Sequence, residues 1–374
     1  MHVAIVSPEF PPAIGGVETY AVEYCKALAD LGHRVTVHTL RHRQGEASID
    51  GIEVLPTLRM RWHEDRRTLA GFKADAWHAM NAACAWLAED HPGLVVSVHG
   101  NDFLRPYYPL AQLDWKRIPG AWRFEKRQPR WLRPYWIDRT DKLMRRTLPR
   151  AHQILANSRF TEQALLQRIP ACIGKTSVAY VGVAPKFFDI QRAPAADGVA
   201  RLLTVCRLSE PRKNVEAVLR ALARLRGFQF RYTVIGDGPD RARLQALSNE
   251  LGLGDRVEFA GFVTADVLHA HYASADLFIL ASSIIPNSHE GFGIVYLEAA
   301  ASGVPCLAAR LAGAAEAVED DVSGMFVEQP TVDALEQALR QFLAGARRFD
   351  RDACRSFARR FTWQKVVEHA LPYY

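Results

Sequence analysis

The sequence predicts an α/β protein made of two doubly wound domains in tandem. Short apolar strands alternate with amphipathic helices along most of the 374 residues, which is typical of parallel sheets covered by helices. The alternation breaks once, at residues 184–198, where the stretch APKFFDIQRAPAADG has two prolines and no apolar period. We therefore predict one domain at 1–184 and a second at 185–354, each large enough for its own core.

The first half of the chain opens with an apolar strand, His2 to Ser7, and a loop punctuated by proline and glycine. Apolar residues at helical spacing predict a helix from Val17 to Leu31, which Gly32 ends. The other elements predicted here are a helix at 74–89 and strands at 34–40, 51–56, 94–99, 153–157 and 177–183.

The second half repeats the alternation. Its predicted strands lie at 202–207, 231–236, 256–260, 277–280 and 305–308. Its predicted helices lie at 214–226, 239–251, 264–273, 292–303 and 332–343, and a helical, aromatic and basic tail covers 350–371. In doubly wound sheets ligands bind at the carboxyl ends of the strands, so we expect the site in a cleft between two facing domains.

Composition excludes several classes of protein. With 49% hydrophobic and 24% charged residues the chain is an ordinary globular mixture. Its apolar runs, such as residues 93–98, are far shorter than the about 20 residues of a membrane span, and its start lacks the basic region of a signal peptide. Six cysteines without a CxxC pair indicate buried thiols. These features predict a cytoplasmic protein.

Positive charge is concentrated in the first half. Residues 1–184 hold 25 basic and 18 acidic residues, whereas 185–374 hold 22 and 23. The segment Lys116 to Arg150 alone holds 12 basic residues, interleaved with Trp115, Trp122, Trp131 and Trp136. This pattern is typical of a segment that binds an anionic membrane surface or a lipid-linked acceptor. The protein would then associate with the cytoplasmic face of a membrane. A helical surface with buried tryptophans is the other main interpretation, and nucleic acid is disfavoured.

The strongest motif is Glu290-Gly291-Phe292-Gly293-Ile294-Val295-Tyr296-Leu297-Glu298. Two carboxylates are separated by eight positions across a glycine-rich turn that opens a helix. The glycines allow backbone amides to approach a ligand, and the helix N-terminus favours an anion. Glu298, placed about two turns into the helix, is within reach of a ribose diol.

A second motif follows the strand at 202–207. Arg207 ends that strand and Lys213 opens the next helix. Arginine and lysine at a strand's carboxyl end can clamp a diphosphate. The alternative is a surface ion pair with Glu210.

Two weaker signals lie in the first half. Gly15 and Gly16, before the first helix, form a possible nest for an oxyanion. His99 follows the strand at 94–98. A histidine in this position is as consistent with a substrate contact as with a structural role. The sequence contains no GxGxxG or P-loop motif and no spacing typical of metal ligands, so we expect no metal and no cofactor.

Taken together, these motifs resemble those of the retaining glycosyltransferases of family four, which have the GT-B fold of two Rossmann-like domains. The resemblance runs through most of the chain and is most specific over 201–327. It rests on GGVE at 15–18, HGND at 99–102, ANS at 156–158, Arg207 with Lys213, GDGP at 236–239, GFV at 261–263 and the Glu290–Glu298 motif.

The resemblance implies a role for each matching residue. Arg207 and Lys213 would hold the donor diphosphate, with Gly16 approaching it from the first domain. Glu290 and the amides of Phe292, Gly293 and Ile294 would hold the donor sugar, which His99 would contact beside the reacting carbon. Glu298 would bind the ribose, and Phe262 and Val263 would line the base pocket. The C-terminal helix, about 355–374, would pack back on the first domain.

The sequence therefore predicts a retaining transferase that moves a sugar from a UDP- or GDP-sugar to an acceptor hydroxyl, without a metal. A saccharide or lipid-linked acceptor of envelope polysaccharide synthesis fits the charge asymmetry. The alternatives are a nucleotide-sugar epimerase or phosphorylase of the same fold, a nicotinamide dehydrogenase, disfavoured by the missing GxGxxG, and a non-catalytic nucleotide-sugar-binding protein.

Overall fold

The computed structural model describes residues 1–12, 15–41, 48–105, 133–192 and 198–374. It divides the chain into two compact units, Met1–Tyr180 with Trp363–Tyr374, and Val181–Thr362. Each unit has a largely parallel sheet covered by helices and its own hydrophobic core. The predicted α/β class, with two doubly wound domains, is confirmed.

The first unit is built on an eight-stranded sheet among its described residues. Its strands are β1 (His2–Val6), β2 (Arg34–Leu40), β3 (Ser48–Ile49), β4 (Ile52–Leu58), β5 (Ala76–Ala79), β6 (Val95–Val98), β7 (Gln153–Ala156) and β8 (Thr176–Val178). Their spatial order is β3-β4-β2-β1-β5-β6-β7-β8, and only the β3–β4 pairing is antiparallel. The α-helices described in this unit are α1 (Gly16–Asp30), α2 (Trp62–Leu69), α3 (Arg133–Thr147) and α4 (Arg159–Arg168), with α12 (Trp363–Ala370) from the end of the chain.

The described residues of the second unit form a parallel sheet of six strands in the order β11-β10-β9-β12-β13-β14. The strands are β9 (Ala200–Val205), β10 (Phe230–Ile235), β11 (Val257–Gly261), β12 (Leu277–Leu280), β13 (Cys306–Ala309) and β14 (Gly324–Val327). Its helices are α5 (Val215–Ala223), α6 (Arg241–Glu250), α7 (Ala265–Ser274), α8 (Ile294–Ala301), α9 (Ala314–Ala317), α10 (Val332–Leu343) and α11 (Arg351–Ala358). The strand order reverses direction between β9 and β12, which is where doubly wound sheets bind ligands.

The helix predicted at 74–89 is wrong. Ala76–Ala79 is a strand, paired with β1 on one side and β6 on the other, and Ala82–Glu89 is a run of 3-10 helix. The alanine-rich sequence favours helix locally, but this segment is buried in the middle of the sheet, where pairing on both sides outweighs propensity. The Asn81 side chain accepts a hydrogen bond from the Ala83 amide at 2.9 Å and begins the 3-10 run.

The boundary between the units differs slightly from the predicted one. The first unit stops at Tyr180 rather than 184, because Val183 pairs in parallel with Thr362 of the second unit and its amide donates to the carbonyl of Phe361 at 3.1 Å. The C-terminal segment that belongs to the first unit begins at Trp363 rather than near 355, because α11 packs against α8 of the second unit.

Several elements were absent from the prediction. These are strands β3 and β14 and helices α2, α3, α4 and α9, and the strand predicted at 177–183 ends at Val178. All six cysteines carry free thiols, and five of them are buried, as predicted.

Candidate active site

The predicted cations Arg207 and Lys213 lie in the loop that follows β9. That loop ends in a 3-10 turn, Pro211–Lys213, and Asn214 then takes a left-handed conformation (φ 54°) before α5, which asparagine tolerates better than most residues. The side-chain amide of Asn214 donates from Nδ2 to the carbonyl of Ala281 at 2.7 Å. The loop after β9 is thereby fastened to the loop after β12.

The GDGP turn supports this loop from the neighbouring strand. A Cβ atom on Gly236 would lie 2.0 Å from the carbonyl oxygen of Cys206, and one on Gly238 would lie 2.3 Å from the carbonyl carbon of Leu208. These glycines are required by the close approach of two backbone segments. Their role is to seat the loop that carries the two cations.

Glu290 is the centre of the polar cluster at the point where the sheet order reverses. One of its oxygens, Oε2, accepts from Lys213 Nζ at 2.6 Å, from Arg212 Nη1 at 3.0 Å and from Ser282 Oγ at 2.9 Å. The glutamate is 7% exposed. The cluster joins the chain after β9 to the chain after β12, so Lys213 and Glu290, predicted from separate motifs, lie in direct contact.

The charges around Glu290 keep it ionised. Burial disfavours the carboxylate, but the positive charges of Lys213 and Arg212, together with their hydrogen bonds, outweigh burial and hold the pKa of Glu290 well below its usual range. A carboxylate with three donors on one oxygen is a fixed anion at neutral pH.

Arg212 and Ser282 are the two residues of this cluster that the sequence did not single out, and Arg212 is the charged one. Its side chain is 5% exposed and forms ion pairs with Glu290 and, at 2.5 Å, with Glu210. The surface ion pair anticipated for Glu210 therefore forms with Arg212. The sequence shows two adjacent cations, Arg212 and Lys213, but it does not show which of them contacts Glu290 from inside the fold.

Arg207 is exposed, in contrast to Lys213. The two residues nevertheless line one cavity of about 270 Å³ on the second unit, together with Glu210 and the start of α5. The predicted pair of cations is thus brought to a single concave surface.

The glycine-rich turn after Glu290 leads directly into α8. Gly293 precedes the helix with φ 92° and ψ 75°, and a Cβ atom there would lie 2.5 Å from the Tyr296 ring. The Tyr296 hydroxyl in turn donates to the carbonyl of Leu280 at 2.5 Å. The turn therefore requires glycine, and it presents the first amides of α8, beginning with Ile294, at the helix N-terminus.

The other two residues of the turn are buried. Gly291 is buried, and the Phe292 side chain is 1% exposed with its ring 5.7 Å from that of Phe361. The phenylalanine side chain therefore anchors the turn in the core, and the sugar-binding role predicted for the backbone amide of Phe292 stays a prediction.

Glu298 lies just over one turn into α8 rather than two, because the helix begins at Ile294. It is 8% exposed, and its Oε2 accepts from the hydroxyl of Tyr272 at 3.1 Å. This bond fixes one carboxylate oxygen. Binding of a ribose by Glu298 stays a prediction.

The residues predicted to line a base pocket follow β11. Phe262 has 63% of its surface exposed, and Val263 is half-buried. A large aromatic ring this exposed on an otherwise ordinary surface is available for stacking. Its partner is not fixed by the fold, so the base pocket stays a prediction.

His99, in the first unit, follows β6. Its ring Nε2 lies 3.2 Å from the carbonyl of Met80, and its ring packs edge-on against Tyr20 with 4.5 Å between centroids. Burial lowers the pKa of His99, which the Asp102 carboxylate partly opposes. A neutral ring that donates from Nε2 to a carbonyl keeps its lone pair on Nδ1. His99 is therefore suited to accept a hydrogen bond from a hydroxyl at Nδ1.

Gly15 and Gly16 stand at the start of α1. Gly15 is extended, Gly16 is exposed, and the Gly15 carbonyl accepts from the Thr19 amide at 2.9 Å. Glu18, in the first turn, is 6% exposed, and its Oε2 has no hydrogen-bond partner among the residues that the structure describes. The phosphate contact predicted for the two glycines stays a prediction.

The basic, tryptophan-rich segment lies largely outside the described residues. This holds for Trp115, Trp122 and Trp131, and for the side chain of Trp136. In the described part, Arg146 pairs with Glu89 at 2.9 Å. Acidic neighbours thus neutralise part of this face.

In the part of the chain that the structure describes, no helix is both long and apolar enough to cross a bilayer. Within the same residues, no group of three or more histidine, cysteine, aspartate or glutamate side chains is arranged to hold a metal ion.

Comparison with known protein families decides the identity of the fold. A model described as "Glycosyl transferases group 1" matches residues 186–361, and one described as "Glycosyltransferase Family 4" matches residues 14–187. Together the two models span nearly the whole chain. The chain belongs to glycosyltransferase family 4. It is a glycosyltransferase of the GT-B fold, as the motifs predicted.

A relative of similar length supports the same class. The chain is 28% identical to a GDP-mannose-dependent alpha-(1-6)-phosphatidylinositol monomannoside mannosyltransferase of Mycolicibacterium smegmatis, over 92% of this chain and 90% of that protein. Shorter stretches match other glycosyltransferases, among them the putative colanic acid biosynthesis glycosyltransferase WcaL of Escherichia coli, 32% identical over 47% of this chain and 44% of that protein.

Solved structures share the fold at lower identity. Sucrose-phosphate synthase from Thermosynechococcus elongatus superposes with a TM-score of 0.76 at 19% identity, covering 99% of this chain and 97% of that one. HepE of Anabaena, solved in complex with UDP and glucose, superposes with a TM-score of 0.70 at 20% identity, covering 99% and 98%. This GT-B glycosyltransferase therefore keeps the architecture of both.

Proposed function

We propose that this family 4 enzyme is a retaining transferase that moves a sugar from a nucleoside diphosphate to a hydroxyl of its acceptor. One observation carries the proposal. Lys213 and Glu290 meet at the point where the strand order of the second sheet reverses, beside the N-terminus of α8. This arrangement supports the proposal, because a cation and helix amides would stabilise an anionic leaving group as it gains charge, and a fixed carboxylate would accept hydrogen bonds from sugar hydroxyls.

The charge change of the reaction fits these residues. As the bond between the anomeric carbon and the diphosphate breaks, positive charge grows on the sugar ring and negative charge on the leaving phosphate oxygen. Lys213 and Arg207 line one cavity and would neutralise the diphosphate. The amides of Gly293 and Ile294 would donate hydrogen bonds to oxygens of the sugar and of the phosphate attached to it. Glu290 would accept hydrogen bonds from sugar hydroxyls.

Retention is best explained by attack on the same face as the leaving group. The acceptor oxygen bonds to the anomeric carbon as the phosphate oxygen departs, and that phosphate oxygen takes the acceptor's proton. Glu290 is the alternative nucleophile. Its ionised carboxylate is already bound by Lys213, Arg212 and Ser282, which favours its use as a hydrogen-bond acceptor over displacement.

We propose that the reaction needs no divalent metal, because the cations of the loop after β9 supply the charge. Lys213 and the exposed Arg207 provide two positive charges at one cavity. Transfer measured with and without excess EDTA should therefore be equal. A loss of transfer restored by Mg²⁺ or Mn²⁺ would contradict this part of the proposal.

The donor is proposed to be a UDP- or GDP-sugar. Both bases occur in the names of similar proteins, GDP in the mannosyltransferase relative and UDP in the HepE complex. Glu298 would bind the ribose, and the exposed Phe262 with Val263 would stack on the base. A thermal-shift panel of nucleoside diphosphates and their sugars identifies the base, because a ligand that binds only the folded protein raises Tm.

The acceptor is proposed to be a saccharide or a lipid-linked saccharide of an envelope glycoconjugate, reached from an anionic membrane surface on the cytoplasmic side. The relatives named above support this class. On and beside α3, the cations outnumber the carboxylates that pair with them. These cations are Arg139, Lys142, Arg145, Arg146 and Arg150. Flotation with vesicles of phosphatidylglycerol should recover the protein, whereas flotation with phosphatidylcholine vesicles should not.

The proposed diphosphate contact is tested with Lys213→Ala. We expect turnover to fall several hundred-fold, as when one main electrostatic donor to the transition state is removed (about 10²–10³-fold). Lys186→Ala is the matched control, because Lys186 is an exposed lysine of the same unit whose ammonium lies over the Phe187 ring. Turnover of Lys213→Ala at the control's level would refute the diphosphate assignment.

The reaction type is tested by product analysis. Incubation with nucleotide sugar and acceptor should give a glycoside whose anomeric proton coupling matches that of the donor, as retention requires. Incubation with nucleotide sugar alone separates the other interpretations. An epimerised sugar would indicate an epimerase, phosphate-dependent release of sugar phosphate a phosphorylase, and unchanged donor under all conditions a non-catalytic binding protein.

A further inference from the structure

Arg212 and Lys213 are consecutive cations that reach the same carboxylate oxygen. Arg212 Nη1 lies 3.0 Å and Lys213 Nζ 2.6 Å from Glu290 Oε2. Both cations are therefore counter-ions of Glu290. One of the two cations can therefore leave while the buried carboxylate keeps a counter-ion.

The two cations differ in how firmly they are held. Arg212 bridges two carboxylates, because its Nη2 also pairs with Glu210 at 2.5 Å, and its side chain is 5% exposed. Its backbone is also fixed, since its carbonyl accepts from the Ser283 amide at 2.8 Å. Arg212 is thus anchored on both sides.

Lys213 has the opposite character. Glu290 is its one ion-pair partner among the described residues, and the Lys213 side chain is more exposed, at 12%. Lys213 also lines the cavity that Arg207 lines, whereas Arg212 is not part of that lining. A lysine carries a compact charge on a flexible stem, so Lys213 can turn from Glu290 towards an anion in the cavity.

We propose that Arg212 is the fixed counter-ion of Glu290 and that Lys213 is an exchangeable one, which leaves Glu290 for the donor diphosphate when the nucleotide binds. This inference rests on the proposed function. Arg212 is then a positioning residue, because it touches no substrate and acts by keeping Glu290 in place while Lys213 moves. Without Arg212, Lys213 would remain the counter-ion of a buried carboxylate and would be withheld from the nucleotide.

The inference predicts a specific effect on nucleotide binding. Arg212→Met keeps the length and apolar stem of the side chain and removes its charge. Calorimetric titration with UDP and with GDP, without any sugar, measures the diphosphate contact alone. For the nucleotide that the wild-type protein binds, we expect Arg212→Met to weaken affinity about tenfold or more, as when one charge-assisted hydrogen bond is lost.

A second substitution separates this mechanism from a merely structural role. Glu290→Gln removes the charge that holds Lys213, so it should leave nucleotide affinity at or above the wild-type level. In the double variant Arg212→Met/Glu290→Gln, Lys213 has no carboxylate to neutralise, and affinity should return to that of Glu290→Gln. Loss of structure at residue 212 would not be repaired in this way.

The outcomes distinguish the inference from the function on which it rests. If the wild-type protein binds neither UDP nor GDP, the proposed function fails. If it binds one of them and Arg212→Met binds that nucleotide equally well, only the exchange is wrong. Should Arg212→Met not fold, the double variant is compared with Glu290→Gln. Equal affinities support the exchange, and a further loss in the double variant shows that Arg212 serves the nucleotide directly and overturns it.

Discussion

The phenol oxygen of Tyr374 lies 2.5 Å from Nδ1 of His78, a ring with no exposed surface. The Tyr24 hydroxyl lies 2.6 Å from the same phenol oxygen, and His78 Nε2 lies 2.8 Å from Ser97 Oγ. Burial lowers the pKa of His78 to about 3, so its ring is neutral at pH 7. Tyr374 therefore satisfies one of the two ring nitrogens and ties residues 363–374 to the central strands of the first unit.

We expect Tyr374→Phe to destabilise the first unit. The substitution removes one oxygen and leaves His78 Nδ1 and the Tyr24 hydroxyl without that partner, which costs about 1–3 kcal/mol for a buried polar group. Differential scanning calorimetry should show Tm lowered by roughly 2–4 °C for each kcal/mol.

Tyr373→Phe provides the matched control, because it removes the same atom from the neighbouring residue. The Tyr373 ring lies beside His369 and His152 rather than in the His78 network. Its Tm should stay at the wild-type value. Equal Tm values for the two variants would show that the hydrogen bonds of the Tyr374 hydroxyl do not stabilise the first unit.

Buried histidines make the first unit less stable in acid. Burial lowers the pKa of His38 to about 4 and that of His78 to about 3, below the value of about 6.5 in an unfolded chain. The stability that these neutral histidines contribute is fully present above pH 6.5. It is lost as the pH falls towards their pKa values in the folded protein. Asp65 acts in the opposite direction, because burial raises its pKa to about 6, so the folded state gains a proton there first.

As a net effect, we expect the free energy of unfolding to fall by about 1–2 kcal/mol per pH unit between pH 6 and 5, because the unfolded unit then binds about one proton more than the folded one. Urea unfolding followed at pH 7, 6 and 5 measures it. Asp65→Asn should make the decline steeper, because the opposing proton uptake is removed. A stability independent of pH over this range would show that these histidines are hydrated in the folded protein.

The turn before α8 should not tolerate a side chain. Gly293→Ala places a Cβ atom 2.5 Å from the Tyr296 ring at φ +92°, and the hydrogen bond from that tyrosine to Leu280 hinders its movement. A left-handed conformation alone costs an alanine about 1–2 kcal/mol, so the additional clash should lower Tm further and weaken nucleotide-sugar binding.

Gly345→Ala isolates the conformational part of this effect. Gly345 has φ +72°, but the nearest atom to an added Cβ is the flexible Arg348 guanidinium at 3.4 Å. We expect a smaller loss of Tm and unchanged donor binding. Equal losses of Tm in the two variants would mean that the Tyr296 ring moves aside freely.

The sheets could be predicted because their strands are short apolar runs with few competing signals. The predicted bounds match those of strands β2 (Arg34–Leu40) and β12 (Leu277–Leu280). They also match those of helix α10 (Val332–Leu343), whose apolar residues recur at helical spacing. The segment at 74–89 could not be predicted in the same way. Its alanines favour helix, and only the neighbours β1 and β6, which come from distant parts of the chain, make Ala76–Ala79 a strand.

The same limit applies to the candidate site. Lys213 and Glu290 were identified from local motifs, each at the end of a strand. Their contact spans 77 positions and depends on how two loops are seated against each other. Arg212 was missed for this reason, since nothing in its local sequence shows that it turns inward to Glu290 and Glu210 while its neighbour stays near the surface.

Glu298 gives the sharpest test of the predicted ribose contact. Glu298→Ala should weaken donor affinity at least tenfold in calorimetry, because a carboxylate that accepts from ribose hydroxyls forms charge-assisted hydrogen bonds, each worth about 1.5–3 kcal/mol. Tyr272→Phe is the matched control, since it removes the 3.1 Å hydrogen bond to Glu298 Oε2 and keeps the carboxylate. That variant should lose far less affinity, because the carboxylate remains on α8. If Glu298→Ala binds the donor as tightly as the wild-type protein, the ribose lies elsewhere and Glu298 serves only as the buried partner of Tyr272.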